Sequence, residues 1–347
     1  MTTTTSQVRA QANDLTALFR PRSVAVIGAS SSPDKLGNAA VRSLRDFPGS
    51  VYAVNPRADG DIEGRPAVAS VSDLPEVVDL ALFCIPPQFV AQSITACTDV
   101  GISAGIIYAG GMAESGEEGV RHERELAEAA RLGGLRLLGP NTSGYLDPGA
   151  GICMSFASDV DQSPAGDLGI VAQSGGVNLT LGWMAAREGL GVTLAAGLGN
   201  AADVDSADVI DYLAADARTK VILLHIEGTE NGRRLMEAVA AAVERKPVVA
   251  LKVGKSDVGD FAASHTGALI GSWQLARSAL EQAGAVVVND TVEMIDAAHM
   301  LSRHRLPANR TPGVGLVTGQ AMPRQHVSGV DHLDGVVDHD RSGLLQG

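Results

Sequence analysis

The sequence predicts an α/β protein made of two doubly wound parallel-sheet units in series, and three observations carry that expectation. Short β-branched runs alternate with alanine-rich stretches of helical period from Ser23 to Ser302, the pattern of right-handed βαβ crossovers. Most of the runs are apolar throughout, as strands covered on both faces must be. Aromatic residues make up only 3% of the chain while glycine occurs 40 times, so cores are built from Ala, Val, Leu and Ile, with turns tuned by glycine.

The elements follow in order. Strands of the first unit are expected at Ser23–Gly28, Val51–Val54, Asp79–Ile85, Ala104–Tyr108 and Leu135–Gly139, with the clearest helix at Glu117–Leu132. A stretch rich in Gly, Asp, Ser and Pro follows and reads as a linker. The pattern restarts at Leu168–Ala172 and continues through Val192–Ala196, Val221–Glu227, Pro247–Val253 and Ala285–Val288, closing with a helix near Val292–Ser302. The expected division is a flexible N-terminus over 1–17, a first domain over 18–145, a linker over 146–166 and a second domain over 167–306. Residues 307–347 read as the truncated start of a third domain or a disordered tail, in which Gly313–Thr318 resembles a first strand. His326, His332 and His339 stand there at irregular spacing among aspartates, which favours a solvated tail over a metal tract. No metal site is expected.

At 347 residues the chain has room for about two domains. The balance of 27 Lys and Arg against 40 Asp and Glu gives a net charge of −13, the wrong sign for a general binder of nucleic acid or of an anionic membrane. Cys84, Cys97 and Cys153 show no CxxC spacing, so neither a disulfide framework nor a zinc knuckle is indicated. Neither a leader-type apolar region nor a run of 18 uncharged apolar residues occurs, which makes the cytoplasm the expected address.

Two loops carry chemistry. Strand Ser23–Gly28 runs into a glycine loop that opens a helix near Asn38, and backbone N–H groups approached closely at a helix start make a phosphate site. The GxGxxG fingerprint is absent, and the second strand ends in Asn55-Pro56-Arg57 where a nicotinamide–adenine site wants an acid. A cation there suits a ribose phosphate, so NADP or coenzyme A fits better than NAD. Gly254-Lys255-Ser256 lacks the glycine of a P-loop, since Val249 stands five positions before Gly254.

The second constellation centres on His265, in Ala263-Ser264-His265-Thr266-Gly267-Ala268. An imidazole among small residues is an unusual packing residue and a good nucleophile toward phosphorus when a partner fixes its tautomer. Glu227 ends a strand, and Ser174, Gly175 and Gly176 follow another and open a helix. One histidine, one carboxylate and one helix N-terminus are the parts a phosphohistidine site needs. Glu227 as a surface acid and Ser174 as a plain helix cap remain the bland alternatives, and His225 and His299 read as structural. The GxSxG elbow of a hydrolase is missing.

Taken in order, SVAVIGAS, VNP, IPP, GPNTSG, QSGG, GLGNAADVD, IEG and ASHTGAL resemble the NDP-forming acyl-CoA synthetases, the ADP-forming acetyl-CoA group related to the succinyl-CoA synthetase α subunit. The resemblance covers residues 18–306. It implies a Rossmann-like CoA-binding domain followed by a flavodoxin-like domain. It implies that Gly28, Ala29, Ser30, Gly37 and Asn38 hold the CoA phosphates, with Asn55, Pro56 and Arg57 near the adenosine end. Pro86, Pro87, Gly110, Gly111 and Glu114 would border the CoA cleft, and the stretch from Gly139 to Gly144, Asn141 included, would lie at the thiol and acyl end. Thr142, Ser143 and Tyr145 would line the acyl pocket; many relatives carry cysteine where Thr142 stands. His265 resembles the phosphorylated histidine, Glu227 its orienting carboxylate, and Ser174, Gly175 and Gly176 the phosphate-binding helix start.

The implied reaction interconverts acyl-CoA, phosphate and ADP with a carboxylic acid, CoA and ATP, through an acyl phosphate and phosphohistidine. The resemblance also implies an ATP-grasp domain or β-type subunit that binds ADP or ATP with Mg2+. Nothing in the chain supplies that module, so a hetero-oligomer is expected. Two alternatives stay open: a non-catalytic CoA or acyl-CoA sensing module, which would have no need of His265, and an NADP-dependent oxidoreductase, favoured by fold alone.

Overall fold

Most of the apolar runs from Ser23 onward become strands whose side chains are buried on both faces, with Val286–Val288 at the sheet edge the half-exposed exception, and the alanine-rich stretches cover them as helices. The computed structural model describes residues 14–57, 60–157, 163–254 and 273–303. In the first half β1 (Ser23–Ile27), β2 (Ser50–Val54), β3 (Ala67–Val68), β4 (Leu80–Phe83), β5 (Ala104–Ile107) and β6 (Arg136–Leu138) form one sheet in the order β3-β2-β1-β4-β5-β6. Every pairing in it is parallel, which is the Rossmann order, with the chain reversing direction across the sheet between β1 and β4. Its helices include α1 (Thr16–Phe19), α2 (Leu36–Ser43), α3 (Val90–Asp99) and α4 (Glu117–Gly133).

The second half adds β7 (Tyr145–Asp147), β8 (Ile152–Met154), β9 (Ala165–Ala172), β10 (Val192–Gly197), β11 (Val221–Ile226), β12 (Val248–Lys252) and β13 (Val286–Val288). They form a sheet in the order β13-β12-β11-β9-β10-β7-β8. The five strands β9 to β13 are parallel and wound in the flavodoxin order, with the switch between β9 and β11. Its helices among the described residues are α5 (Gly175–Arg187), α6 (Ser206–Ala215), α7 (Gly232–Val243), α8 (Trp273–Gln282) and α9 (Thr291–Arg303).

Three differences from the sequence expectation matter. The second sheet is mixed, because β7 pairs antiparallel with β10 and β8 antiparallel with β7. Both strands come largely from the stretch read as a linker. They are three residues each, too short to show a period of two, and β10, which joins them to the sheet through β7, is distant in sequence. Third, order begins before residue 18: Leu15 is buried and α1 starts at Thr16, with Leu18 and Phe19 fully buried. Phe19 packs edge-on against Tyr145 at a centroid distance of 5.1 Å, and the Tyr145 hydroxyl donates to the Leu18 carbonyl at 2.6 Å.

The two sheets share a core. One apolar cluster joins Val24, Leu82 and Ile106 of the first sheet to Val171, Leu194 and Leu224 of the second. The backbone is continuous across the join as well: Gly197, Asn200, Ala202 and Val204 donate to the carbonyls of Gly144, Pro140, Gly139 and Leu137 at 2.9, 2.9, 3.0 and 3.1 Å. The segments 137–147 and 195–204 therefore run as one antiparallel ribbon. Salt bridges flank it, Arg136 to Asp203 and Asp208, both at 3.0 Å, and Arg218 to the buried Asp147 through two bonds of 2.9 and 2.8 Å. Among the described residues no helix is long and apolar enough to cross a membrane, and no cluster of three or more His, Cys, Asp or Glu could hold a metal ion.

Candidate functional site

Ligand crevices in open α/β sheets form beyond the carboxyl ends of strands where the winding reverses. In the first sheet this point is the end of β1 beside β4. Gly28 leaves β1 at φ +84°, and a side chain there would press on the Cys84 carbonyl at 2.6 Å. A Cβ on Gly37 would stand 2.0 Å from the Gly28 carbonyl oxygen, so the α2 start can lie this close to the loop only as glycine.

Two amides brace that loop. The fully buried Asn38 donates to the Ser30 carbonyl at 2.9 Å and to Glu63 at 2.8 Å. Asn55 donates to the Ala29 carbonyl at 2.7 Å and accepts from the Arg57 N–H at 2.8 Å. The Ala29 side chain is buried and Arg57 is exposed. The structure thus places Gly28, Ala29, Ser30, Gly37, Asn38, Asn55, Pro56 and Arg57 together, but Asn38, Asn55 and Ala29 shape the loop from beneath. Pro86 and Pro87 follow β4 at the same sheet end, where Pro87 opens a single 3₁₀ turn.

The loop after β5 is organised by a carboxylate. Glu114 accepts from the Gly111 and Met112 N–H groups at 2.7 and 3.1 Å, and its other oxygen accepts from Asn200 at 2.7 Å. Burial works to raise its pKa, but the Asn200 and backbone hydrogen bonds outweigh that and hold it below the usual glutamate value. Glu114 therefore holds the Gly110-Gly111 turn instead of presenting a free oxygen to a ligand. Asn141, at φ +58°, donates to Asn200 at 3.3 Å.

In the second sheet the reversal lies between β9 and β11, and their ends carry Gln173 and Glu227. The Gln173 side-chain oxygen accepts from the N–H groups of Glu227 at 2.7 Å and Gly228 at 3.0 Å. Two donors aimed at one end of the amide settle which atom is oxygen, and Gln173 lines the cleft beyond. Ser174 caps α5, accepting from Val177 N–H at 3.4 Å, so its cap role is real. The first-turn N–H groups of Gly175 and Gly176 stand at the cleft wall as the orphan donors of a helix start. Behind Glu227 the Lys252 ammonium donates to the carbonyls of Glu227 and Val253 at 2.8 and 2.7 Å. Burial lowers its pKa, opposed by the charge of Glu227. His225, buried in β11, is pushed down to about 4 by burial and then by Lys252, so it is neutral at pH 7 and structural.

These strand ends enclose a cleft of about 740 Å³ that is lined from both halves. It brings together Asn141, Ser174, Gly175, Gly176 and Glu227. The loop around Gly28 and the residues Pro86, Pro87, Gly110 and Gly111 do not line it. His265 lies outside the described residues. Thr142 and Ser143 line the cleft, but the Thr142 hydroxyl is spent inside, donating to the Gly197 carbonyl and accepting from Gly144 N–H at 2.9 Å. Tyr145 is fully buried away from the cleft, which overturns its expected place in an acyl pocket. Gln173, Asn200, Tyr108 and Phe156 line the cleft instead. The QSGG and GLGN motifs contained the first two, and nothing in the sequence marked the aromatic pair.

The comparisons agree with the two-domain fold. A CoA binding domain model matches residues 22–147, and a succinyl-CoA ligase like flavodoxin domain model matches residues 165–301. The acetate–CoA ligase [ADP-forming] II subunit alpha of Pyrococcus furiosus is 35% identical over 94% of this chain and 72% of its own length. The chain belongs to the ADP-forming acetate–CoA ligase family. Acetate–CoA ligase [ADP-forming] I of Archaeoglobus fulgidus is 38% identical over 84% of the chain, which spans 42% of that relative. Among solved structures, acetyl-coenzyme A synthetase 1 of Ca. Korarchaeum cryptofilum, determined with phosphate and ADP, superposes with a TM-score of 0.80 at 33% identity. That match covers 85% of this chain and 64% of the other. As an ADP-forming acetate–CoA ligase sequence the chain carries the CoA-binding domain first and the succinyl-CoA ligase like domain second, and the cleft lies where the two meet.

Proposed function

We propose that the chain is the CoA-binding, phosphoryl-carrying part of an ADP-forming acyl-CoA ligase. It interconverts acyl-CoA, phosphate and ADP with a carboxylic acid, CoA and ATP. The observation that carries the proposal is the pairing of Glu227 with the Gln173–Gly176 helix start at the β9/β11 switch, in a cleft shared with the CoA-binding half.

In the reaction, a phosphate oxygen attacks the thioester carbonyl carbon, the C–S bond breaks, and CoA leaves as the thiol with a proton from phosphate. An imidazole nitrogen of His265 then attacks phosphorus, the P–O bond to the acyl oxygen breaks, and the carboxylate departs. ADP finally takes the phosphoryl group from His265 on an ATP-grasp partner. Glu227 orients the imidazole, and the N–H groups of Gly175 and Gly176 receive the phosphate at the positive end of α5. The Gly28 loop, braced by Asn38 and Asn55, fits the CoA phosphates because Gly28 and Gly37 let the start of α2 close directly onto the loop, and Arg57 supplies exposed positive charge beside it.

Labelled inorganic phosphate with a panel of acyl-CoA thioesters tests this reading. The expected result is an acid-labile, base-stable label on the chain that is lost in His265→Ala. CoA binding without labelling, even with an ATP-grasp partner present, would leave a CoA-sensing module and overturn catalysis.

A further inference from the structure

The cleft wall is polar or small-chained nearly everywhere, apart from one apolar sector. There Tyr108, which follows β5, and Phe156, which follows β8, meet edge to face at a centroid distance of 5.3 Å and an interplanar angle of 71°. Leu179 of α5 is in the same lining, and Thr142 and Ser143 belong to the same wall. Phe156 is 37% exposed although the cleft half encloses it. Tyr108 is buried, its hydroxyl has no hydrogen-bond partner among the described residues, and burial holds it protonated, well above the usual tyrosine pKa.

An acetyl group has too little surface to cover this sector, and Phe156 would stay wet beside it. An aromatic ring is the group such a pair accepts best, since a third ring extends the edge-to-face packing and removes the exposed apolar face from water. We infer that Tyr108 and Phe156 form the acyl-specificity wall of the cleft and select thioesters of aryl-bearing carboxylic acids. The inference rests on the proposed reading of the cleft as the site between CoA and phosphate. It gives Phe156 the leading part, because its ring is the accessible one, and gives Tyr108 the part of a backing ring. The Tyr108 hydroxyl contributes nothing to the fold through hydrogen bonding, so Tyr108→Phe preserves the wall.

Calorimetric titration of the full chain with phenylacetyl-CoA, acetyl-CoA and free CoA is the test. Phenylacetyl-CoA is expected to bind about tenfold more tightly than acetyl-CoA. Phe156→Ala should bring that ratio near unity, while Tyr108→Phe retains it. Because Phe156 is partly exposed, its truncation leaves the buried core intact. Equal affinity for the two thioesters, or a preference that survives Phe156→Ala, would overturn the specificity wall while CoA binding stands. A chain that binds neither thioester nor free CoA would overturn the CoA reading itself, and the wall with it.

Discussion

Asn200 donates one amide hydrogen to Glu114 across the join between the two sheets, at 2.7 Å. The same nitrogen reaches Glu123 at 2.7 Å, and Glu123 also accepts from the Ala113 N–H at 3.2 Å. A single amide therefore sits between two carboxylates that hold the turn after β5, and it ties that turn to the β10 loop. The relationship makes Asn200 a positioning residue for the cleft. Asn200→Ala leaves the two carboxylates adjacent with no shared donor, so the turn should loosen. The expected outcome is a rise in KM for acyl-CoA of about tenfold with a stability loss of about 1–2 kcal/mol. Asn200→Asp, which adds a third carboxylate, should be worse on both measures. Steady-state kinetics with the partner present and urea unfolding check this, and an unchanged KM would remove Asn200 from that role.

Gln173 offers a separation of two roles. Its oxygen fixes the Glu227 and Gly228 N–H groups, and its amide nitrogen is left for the cleft. Gln173→Glu keeps both acceptor contacts but puts a negative charge where phosphate approaches. Unfolding should change little, while KM for phosphate rises by about tenfold or more through like-charge repulsion. Gln173→Leu removes the acceptor, leaves two N–H groups unpaired and should lower kcat as well. An unchanged KM for phosphate in Gln173→Glu, beside a lowered kcat in Gln173→Leu, would show that Gln173 acts only through the Glu227 and Gly228 N–H groups.

The elements most legible in the sequence were those whose residues are neighbours along the chain. The strands β1, β9 and β11 and the helix starts at Leu36 and Gly175 carry local signals: an apolar run, a glycine turn, a cap. The antiparallel strands β7 and β8 carried none, because Gly149, Gly151 and Asp147 read as a linker until β10 is placed beside β7. The site divided in the same way. Glu227 and Ser174 end or follow strong strands and were identifiable, whereas Phe156 sat in the supposed linker. The bond from Asn200 to Glu114 spans 86 residues, a pairing that no local pattern encodes. Glu114 was legible as part of the loop after β5, but not its bonds: one oxygen holds the Gly111 and Met112 N–H groups and the other the Asn200 amide.

Gly37 tests the CoA end independently of the chemistry. A Cβ there would stand 2.0 Å from the Gly28 carbonyl oxygen, which is backbone and cannot swing aside. Gly37→Ala should push α2 away from the loop, at a cost of about 1–3 kcal/mol. CoA affinity should fall further than that of Gly60→Ala, a control at an open position where only backbone strain is incurred. Thermal unfolding and CoA calorimetry measure the two effects. A Gly37→Ala protein with full CoA affinity would show that this close approach does not build the phosphate site.

His225 gives the fold an acid-side weakness whose sign can be worked out. Its side chain is buried, its Nδ1 has no hydrogen-bond partner among the described residues, and burial followed by the nearby Lys252 charge lowers its pKa from 6.5 to about 4. Above pH 6.5 both folded and unfolded chains hold this imidazole neutral, and it contributes no pH slope. Between pH 6.5 and 4 the unfolded chain binds a proton that the folded chain refuses, so folding loses stability as the pH falls. Below about 4 both forms are protonated and the slope vanishes. Over that window the loss from this one group is of order 3 kcal/mol. His225→Leu fills the position with an apolar side chain beside Leu223 and Leu251 of the same cluster and cannot titrate. Urea unfolding of the two proteins from pH 7 to pH 4.5 should show nearly constant separation above pH 6.5 and a growing advantage for the variant below it. Parallel curves across the whole range would mean that the folded chain takes up the proton at His225 as readily as the unfolded one.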